Sequence, residues 1–251
     1  MSDSAPWWSD FFKGPWLDVQ RAHDDAERTS AEADFIERVL KLRPGAMVLD
    51  VPCGTGRLSL QLATRGYQLS GVDVTPALLE DARRVSRERG LAVTWREGDM
   101  RDLPWVGVFD AVFCWWGSFG YFDEEGDRAF LAAAAKSLLP GGRLLLDTHV
   151  VETLLPKFRP RDWSQEGEVV LLQDRRWDLE RGRIDATWTA VRQGEQHVSH
   201  SSIRVYTYRE LASLLDEAGF TIEQAYGGLG GEPFAVGSPR LHLVARKRTR
   251  S

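Results

Sequence analysis

Between residue 29 and about residue 147, short apolar runs of strand length alternate with segments whose apolar residues recur every three to four positions. Phe35, Ile36, Val39 and Leu40 share one helical face behind Thr29-Ser30-Ala31-Glu32, which has the form of a capping box, and Pro44-Gly45 ends the pattern. Runs at 47–50, 67–72, 93–97, 109–114 and 143–147 read as five strands. Helical patterns fill the gaps: one from Leu58, one opened by Thr75 as N-cap with Pro76 in the first turn, and one from Asp123 to about Leu138. Such strand–helix alternation predicts an α/β chain with a Rossmann-like, doubly wound, mostly parallel sheet covered on both faces.

After Thr148 the period changes. Runs at 168–177, 183–192 and 197–208 are strand-like and separated by turns at 180–182 and 193–194. Ile184, Ala186, Trp188 and Ala190 alternate with Arg183, Asp185, Thr187 and Thr189, the mark of a sheet wet on one side. Residues 151–206 are therefore expected to be an antiparallel β insertion after strand five, on the acceptor side of the site. A second capping box, Thr207 to Glu210, starts a helix carrying Leu211, Leu214 and Leu215, closed by Gly219. Runs at 220–226 and 240–245 complete a seven-stranded sheet, so 28–150 form the core and 207–251 finish it. Residues 1–27 hold Trp7, Trp8, Phe11, Phe12 and Trp16 without a long helical period. They are expected to form a lid over the site or a cap on the core, with Trp7 and Phe11 on the substrate side.

The chemistry gathers at one turn. The first strand ends in Asp50, and Val51-Pro52-Cys53-Gly54-Thr55-Gly56-Arg57 leads into a helix; the second strand ends in Asp73. Strand, glycine turn, helix, strand and acid is the plan for holding a nucleoside at the C-terminal edge of a parallel sheet, the second acid accepting from the ribose hydroxyls. A dinucleotide site would carry a third glycine where Ser59 stands and bare amides facing a pyrophosphate. Asp50, just before Gly54, would repel that phosphate and suits a cationic, amine-bearing nucleoside.

Asp50 to Arg57, Gly71-Val72-Asp73, Gly98-Asp99-Met100-Arg101-Asp102-Leu103-Pro104, Phe109 to Phe113 and Leu139-Pro140-Gly141-Gly142 follow in order. Together they resemble the successive motifs of class I S-adenosylmethionine-dependent methyltransferases, and Gly117 to Asp123 resembles a bacterial small-molecule branch. The resemblance implies S-adenosylmethionine as cofactor and S-adenosylhomocysteine as product. It implies a cofactor site of Asp50, Pro52, Cys53, Gly54, Gly56, Arg57, Asp73, Val74, Asp99, Met100, Cys114 and Trp115. Pro52 departs from the acidic or small residue of many members, which leaves the methionine amino group to Asp50 and backbone carbonyls. No Asn/Asp-Pro-Pro-Tyr follows strand four, which argues against a nucleobase or glutamine acceptor. Trp116, Ser118 and Tyr206 are the further substrate candidates. His149 beyond strand five is the best-placed base, with Tyr121 a second catalytic candidate and His197 and His200 in reach from the insertion; each is also compatible with a structural or surface role.

Charge and composition narrow the acceptor. A net charge of −5 argues against nucleic acid, whose binding favours a basic face; the cationic run at 246–250 reads as a solvated end. The apolar stretches are strand-sized, the start of the chain has no secretory pattern, and Cys53 and Cys114 stand at no metal spacing, so a cytoplasmic, metal-free protein with reduced thiols is expected, as monomer or homodimer. The expected activity is methyl transfer to nitrogen or oxygen of a small molecule by in-line displacement. The alternatives are a non-catalytic nucleoside-binding regulator of the same fold and an NAD-dependent oxidoreductase.

Overall fold

The computed structural model describes residues 6–22 and 25–249. Two short helices come first, α1 (Trp7–Phe11) and α2 (Pro15–Ala22), then α3 (Ala26–Leu40). Next come β1 (Met47–Asp50), α4 (Arg57–Thr64), β2 (Gln68–Asp73), α5 (Pro76–Glu88), β3 (Val93–Glu97), β4 (Phe109–Cys114), α6 (Glu124–Ser137) and β5 (Leu138–Thr148). After a short helix α7 (Val151–Leu154) and a 3₁₀ turn, β6 (Arg161–Glu166), β7 (Val169–Asp178), β8 (Arg183–Arg192) and β9 (Glu195–Arg204) form a second sheet. Helix α8 (Tyr208–Glu217), β10 (Phe220–Tyr226) and β11 (Leu241–Lys247) return to the first.

The main sheet has seven strands in the order β10-β11-β5-β4-β1-β2-β3, parallel except for β11, which runs against both β5 and β10. Strand order reverses between β1 and β4, so their C-terminal ends open the crevice in which doubly wound sheets bind ligands. The central strands are buried on both faces, and their sequence shows it. In β4, Ala111 and Phe113 pack with Phe35, Ile36 and Val39 of α3 and Leu58 and Leu62 of α4. Val112 and Cys114 pack on the other face with Phe130 and Leu131 of α6 and Leu211, Leu214 and Leu215 of α8.

Three expectations need correction. Helix α3 starts at Ala26, where the Asp25 side chain accepts from Arg28 N at 2.7 Å. Thr29 and Glu32 do not cap it: Thr29 Oγ1 accepts from Arg57 Nη1 at 3.1 Å and Glu32 pairs with the same guanidinium. The insertion holds four strands rather than three. β6 escaped notice because Arg-Asp-Trp-Ser-Gln-Glu is an exposed edge strand whose polar composition carries no apolar alternation. The N-terminal rings are helical and sit largely in core: Phe11, Trp16 and Val19 are buried with Val169, Leu171 and Ala190 of the insertion. Trp16 donates from Nε1 to Ser199 Oγ at 3.2 Å, and its ring meets Trp188 edge-on at 5.2 Å. The predicted Thr207–Glu210 box is present, with Glu210 N donating to Thr207 Oγ1 at 3.1 Å. No helix among the described residues is long and apolar enough to cross a membrane.

Candidate functional site

Strands β1 and β2 are parallel neighbours with Asp50 opposite Gly71, so their terminal acids reach the same end of the sheet, two positions apart. Asp50 is 2% exposed, and its Oδ2 accepts from Ser59 Oγ at 2.7 Å. Burial pushes its carboxyl up to about 8, against the opposing pull of Ser59 and Arg57. A carboxylate this expensive to ionise alone is one that gains from a cation beside it. Asp73 is held from both sides: Gly54 N donates to Oδ2 and Thr75 N to Oδ1, both at 2.8 Å. Burial raises its pKa while those amides pull it down.

The turn between them depends on its glycines for different reasons. Gly54 adopts φ +54° with open space where a Cβ would stand, so its demand is conformational. Gly56, at φ +73°, caps α4, and a Cβ there would come within 2.3 Å of the Trp95 ring.

These acids face one cavity of about 850 Å³, partly open to solvent. The expected cofactor residues Asp50, Pro52, Cys53, Gly54, Arg57, Asp73, Val74 and Trp115 line it, and so do Trp116, Ser118 and Tyr121. Gly56 lies beneath the turn. The other candidates lie elsewhere. Met100 and Cys114 are buried in core packing. Asp99 is taken up by Arg101, whose Nη2 donates to its Oδ2 at 2.6 Å. Tyr206 is core: its hydroxyl donates to buried Asp127 at 2.8 Å. Trp7 and Phe11 belong to the opposite face of α1. It is Trp8 and Phe12 that line the cavity, joined by Gln20 of α2 and by Thr55, Leu58, Thr75 and Leu78. Residues i and i+4 share a helix face, so the two aromatic pairs separate; the sequence offered both and only packing chooses.

No lining residue comes from 151–206. The insertion meets the cavity indirectly, by packing under α1 and α2. Arg192 Nη1 donates to Asp18 Oδ2 at 2.6 Å, and Arg21 Nε donates to Asp81 Oδ2 of α5 at 2.8 Å.

His149 does not line the cavity. Its Nε2 accepts from Arg240 Nη1 at 3.1 Å, which leaves the Nδ1 proton facing Thr153 Oγ1 at 3.3 Å. Burial, then the Arg240 charge, push it down to about 4. A base on the sequence criterion thus becomes part of a brace. Arg240 also donates from Nη2 to Asp147 Oδ2 at 2.9 Å. The same Asp147 oxygen accepts from Trp116 N at 2.8 Å, and the Asp147 carbonyl from Gly117 N at 3.0 Å. Trp116 is held there at φ +69°, a left-handed conformation costly for a bulky residue. The Arg28 guanidinium lies 5.3 Å from its ring centroid. Trp115 is 4% exposed and stacks on His242 at 5.3 Å. His197 and His200 are exposed on β9. Among the described residues, no three His, Cys, Asp or Glu side chains gather as a metal site requires.

Residues 48–142 match the family described as "Methyltransferase domain". A ubiquinone biosynthesis O-methyltransferase of Xanthomonas axonopodis pv. citri (strain 306) is 40% identical over 112 residues, 43% of this chain and 45% of that protein. A glycine/sarcosine N-methyltransferase of Parasynechococcus marenigrum (strain WH8102) is 36% identical over 131 residues, 51% of this chain and 46% of that protein. The chain thus spans about half the length of these curated relatives. The crystal structure of an S-adenosylmethionine-dependent methyltransferase from Clostridium acetobutylicum ATCC 824 shares the fold, with a TM-score of 0.81 at 18% identity over 94% of this chain and 100% of that one. With the ordered motifs and the sheet that carries them, residues 48–142 are similar to a methyltransferase domain, and the chain shares the fold of an S-adenosylmethionine-dependent methyltransferase.

Proposed function

We propose that the protein transfers the methyl group of S-adenosylmethionine to a nitrogen or oxygen of a small molecule and releases S-adenosylhomocysteine. The observation that carries this reading is the pairing of Asp50 and Asp73 on one cavity whose remaining wall is rich in rings. The donor set fits the cofactor. Asp50, buried with its carboxyl pushed up to about 8, is complementary to an ammonium and hostile to a phosphate. Asp73, oriented by the Gly54 and Thr75 backbone amides, faces the same cavity as an acceptor suited to ribose hydroxyls. Val74, Thr75 and Leu78 supply a mainly apolar surface beside it. Ser59, where a dinucleotide site would have its third glycine, is committed to Asp50.

When bound, the cofactor supplies an electrophilic methyl on a sulfonium that departs as a neutral thioether. The protein's part is then to align an acceptor and exclude water, for which oriented encounter contributes most of the rate. Both O- and N-methyltransferases occur among the relatives. Isothermal titration of the full chain with S-adenosylmethionine and, separately, with NAD tests the reading. Saturable binding of the first without the second is expected; NAD binding with no response to S-adenosylmethionine would overturn it.

A further inference from the structure

The cavity's titratable residues are Asp50, Cys53, Arg57, Asp73 and Tyr121. Asp50 and Asp73 serve the two ends of the cofactor in the reading above, and Arg57 is engaged with Glu32 and Thr29. Cys53 is a buried thiol pushed upward by burial, and the Tyr121 phenol is pushed up to about 12 by burial. Among the described residues no histidine lines the cavity, and the nearest by sequence expectation, His149, accepts from Arg240. A hydroxyl acceptor must lose its proton to become a strong nucleophile, and among the described lining residues none is placed and poised to take it. A neutral amine needs no such help. Its lone pair is available at once.

The lining itself favours what that reaction makes. Trp8, Phe12, Trp116 and Tyr121 bring four rings to one side of the cavity, and ring faces attract cations more strongly when water is excluded. Trp116 is the informative one. The fold keeps it at φ +69° by spending the buried Asp147 carboxylate on the Trp116 amide and the Asp147 backbone carbonyl on the Gly117 amide, with Arg240 holding that carboxylate in turn. Strain maintained by so specific a brace marks a ring whose position matters to something other than packing.

We infer that the methyl acceptor is an amine on an apolar body, and that Trp8, Phe12, Trp116 and Tyr121 receive the methylated ammonium it becomes. The inference rests on the cofactor reading above. In the transfer the nitrogen lone pair forms the new N–C bond as the C–S bond breaks, and that bond's electrons stay on sulfur. Positive charge passes from sulfur to nitrogen. With a primary or secondary amine, one N–H proton then leaves to solvent.

The test uses the full chain and a pair of equal-shaped probes, (4-hydroxyphenyl)trimethylammonium and its uncharged isostere 4-tert-butylphenol. Each is titrated at pH 7 into the protein saturated with S-adenosylhomocysteine, and again with S-adenosylmethionine. The charged probe is expected to bind the homocysteine complex at least tenfold tighter than the uncharged one. It is also expected to bind that complex at least fivefold tighter than the methionine complex, where the sulfonium repels it. Trp116→Leu should lower its affinity at least fivefold, and Trp116→Phe should recover most of the loss. Equal affinities for the two probes, or indifference to the sulfonium, would overturn the amine inference while leaving cofactor binding intact. Failure of the wild-type chain to bind S-adenosylhomocysteine would overturn both readings. The wild-type probe comparison decides even where a Trp116 variant fails to fold.

Discussion

Asp50 and Asp73 on one wall of the cavity come from adjacent strands and from a single stretch of sequence; Trp8 on the other comes from a five-residue helix and Phe12 from the residue that ends it, a segment packed on the insertion. The first wall is local. Asp73 is aimed by the backbone amides Gly54 N and Thr75 N and Asp50 by the Ser59 hydroxyl, so the geometry follows from residues within one short stretch of chain. The second is assembled at long range: Trp16 packs on Trp188 and bonds Ser199, and Arg192 reaches Asp18. A fold that keeps cofactor recognition in a local element can change acceptors by altering what props the other wall.

Breaking the prop should have the largest effect. Trp16 is 5% exposed within the cluster of Phe11, Val19, Val169, Leu171 and Ala190. Trp16→Ala should cost about 3–5 kcal/mol of stability in urea unfolding, as other buried aromatic truncations do. Affinity for S-adenosylmethionine should stay within about threefold, because that site belongs to the parallel sheet. A joint collapse of stability and cofactor binding would mean the two walls are one unit. On the local wall the expected effect is smaller in stability and larger in binding. Removing two hydroxyl hydrogen bonds with Asp73→Ala should weaken S-adenosylmethionine by about 1.5–3 kcal/mol, at least tenfold by calorimetry. An unchanged titration would remove β2 from the site.

The same contrast explains what the sequence could reveal. The parallel core, Asp50, Asp73 and Gly54 were legible because strand, turn and helix signals all lie within a few residues of the atoms they position. The α1 face was not. The rings of residues 7–12 show no long helical period in the sequence, and only packing against the insertion decides that Trp8 and Phe12 line the cavity while Trp7 and Phe11 do not. His149 was misplaced for a similar reason. Its site at the end of β5 suits a base, but Arg240 arrives from the far end of the chain and occupies its Nε2. Tyr206 ends the insertion close to the sheet edge, yet buried Asp127 on α6 draws its hydroxyl into the core. Glu32 had the spacing of a capping residue, and the deciding fact was Arg57 across the helix interface. For His149, Tyr206 and Glu32 the missing information was a charged partner remote in sequence.

The account turns on Asp50 meeting a cation. Its folded pKa of about 8, raised by burial, means the free protein holds a proton there at neutral pH. A bound ammonium favours the carboxylate and lowers that pKa, so binding must expel the proton. Affinity should therefore rise by about tenfold per pH unit as the pH climbs toward 8, and fall again where the ligand's own ammonium loses its proton. The most direct measurement is calorimetric titration of S-adenosylmethionine at pH 7 in buffers of different ionisation enthalpy. The account predicts release of most of one proton per ligand bound, abolished in Asp50→Asn. Binding with no proton release in the wild-type protein would contradict it.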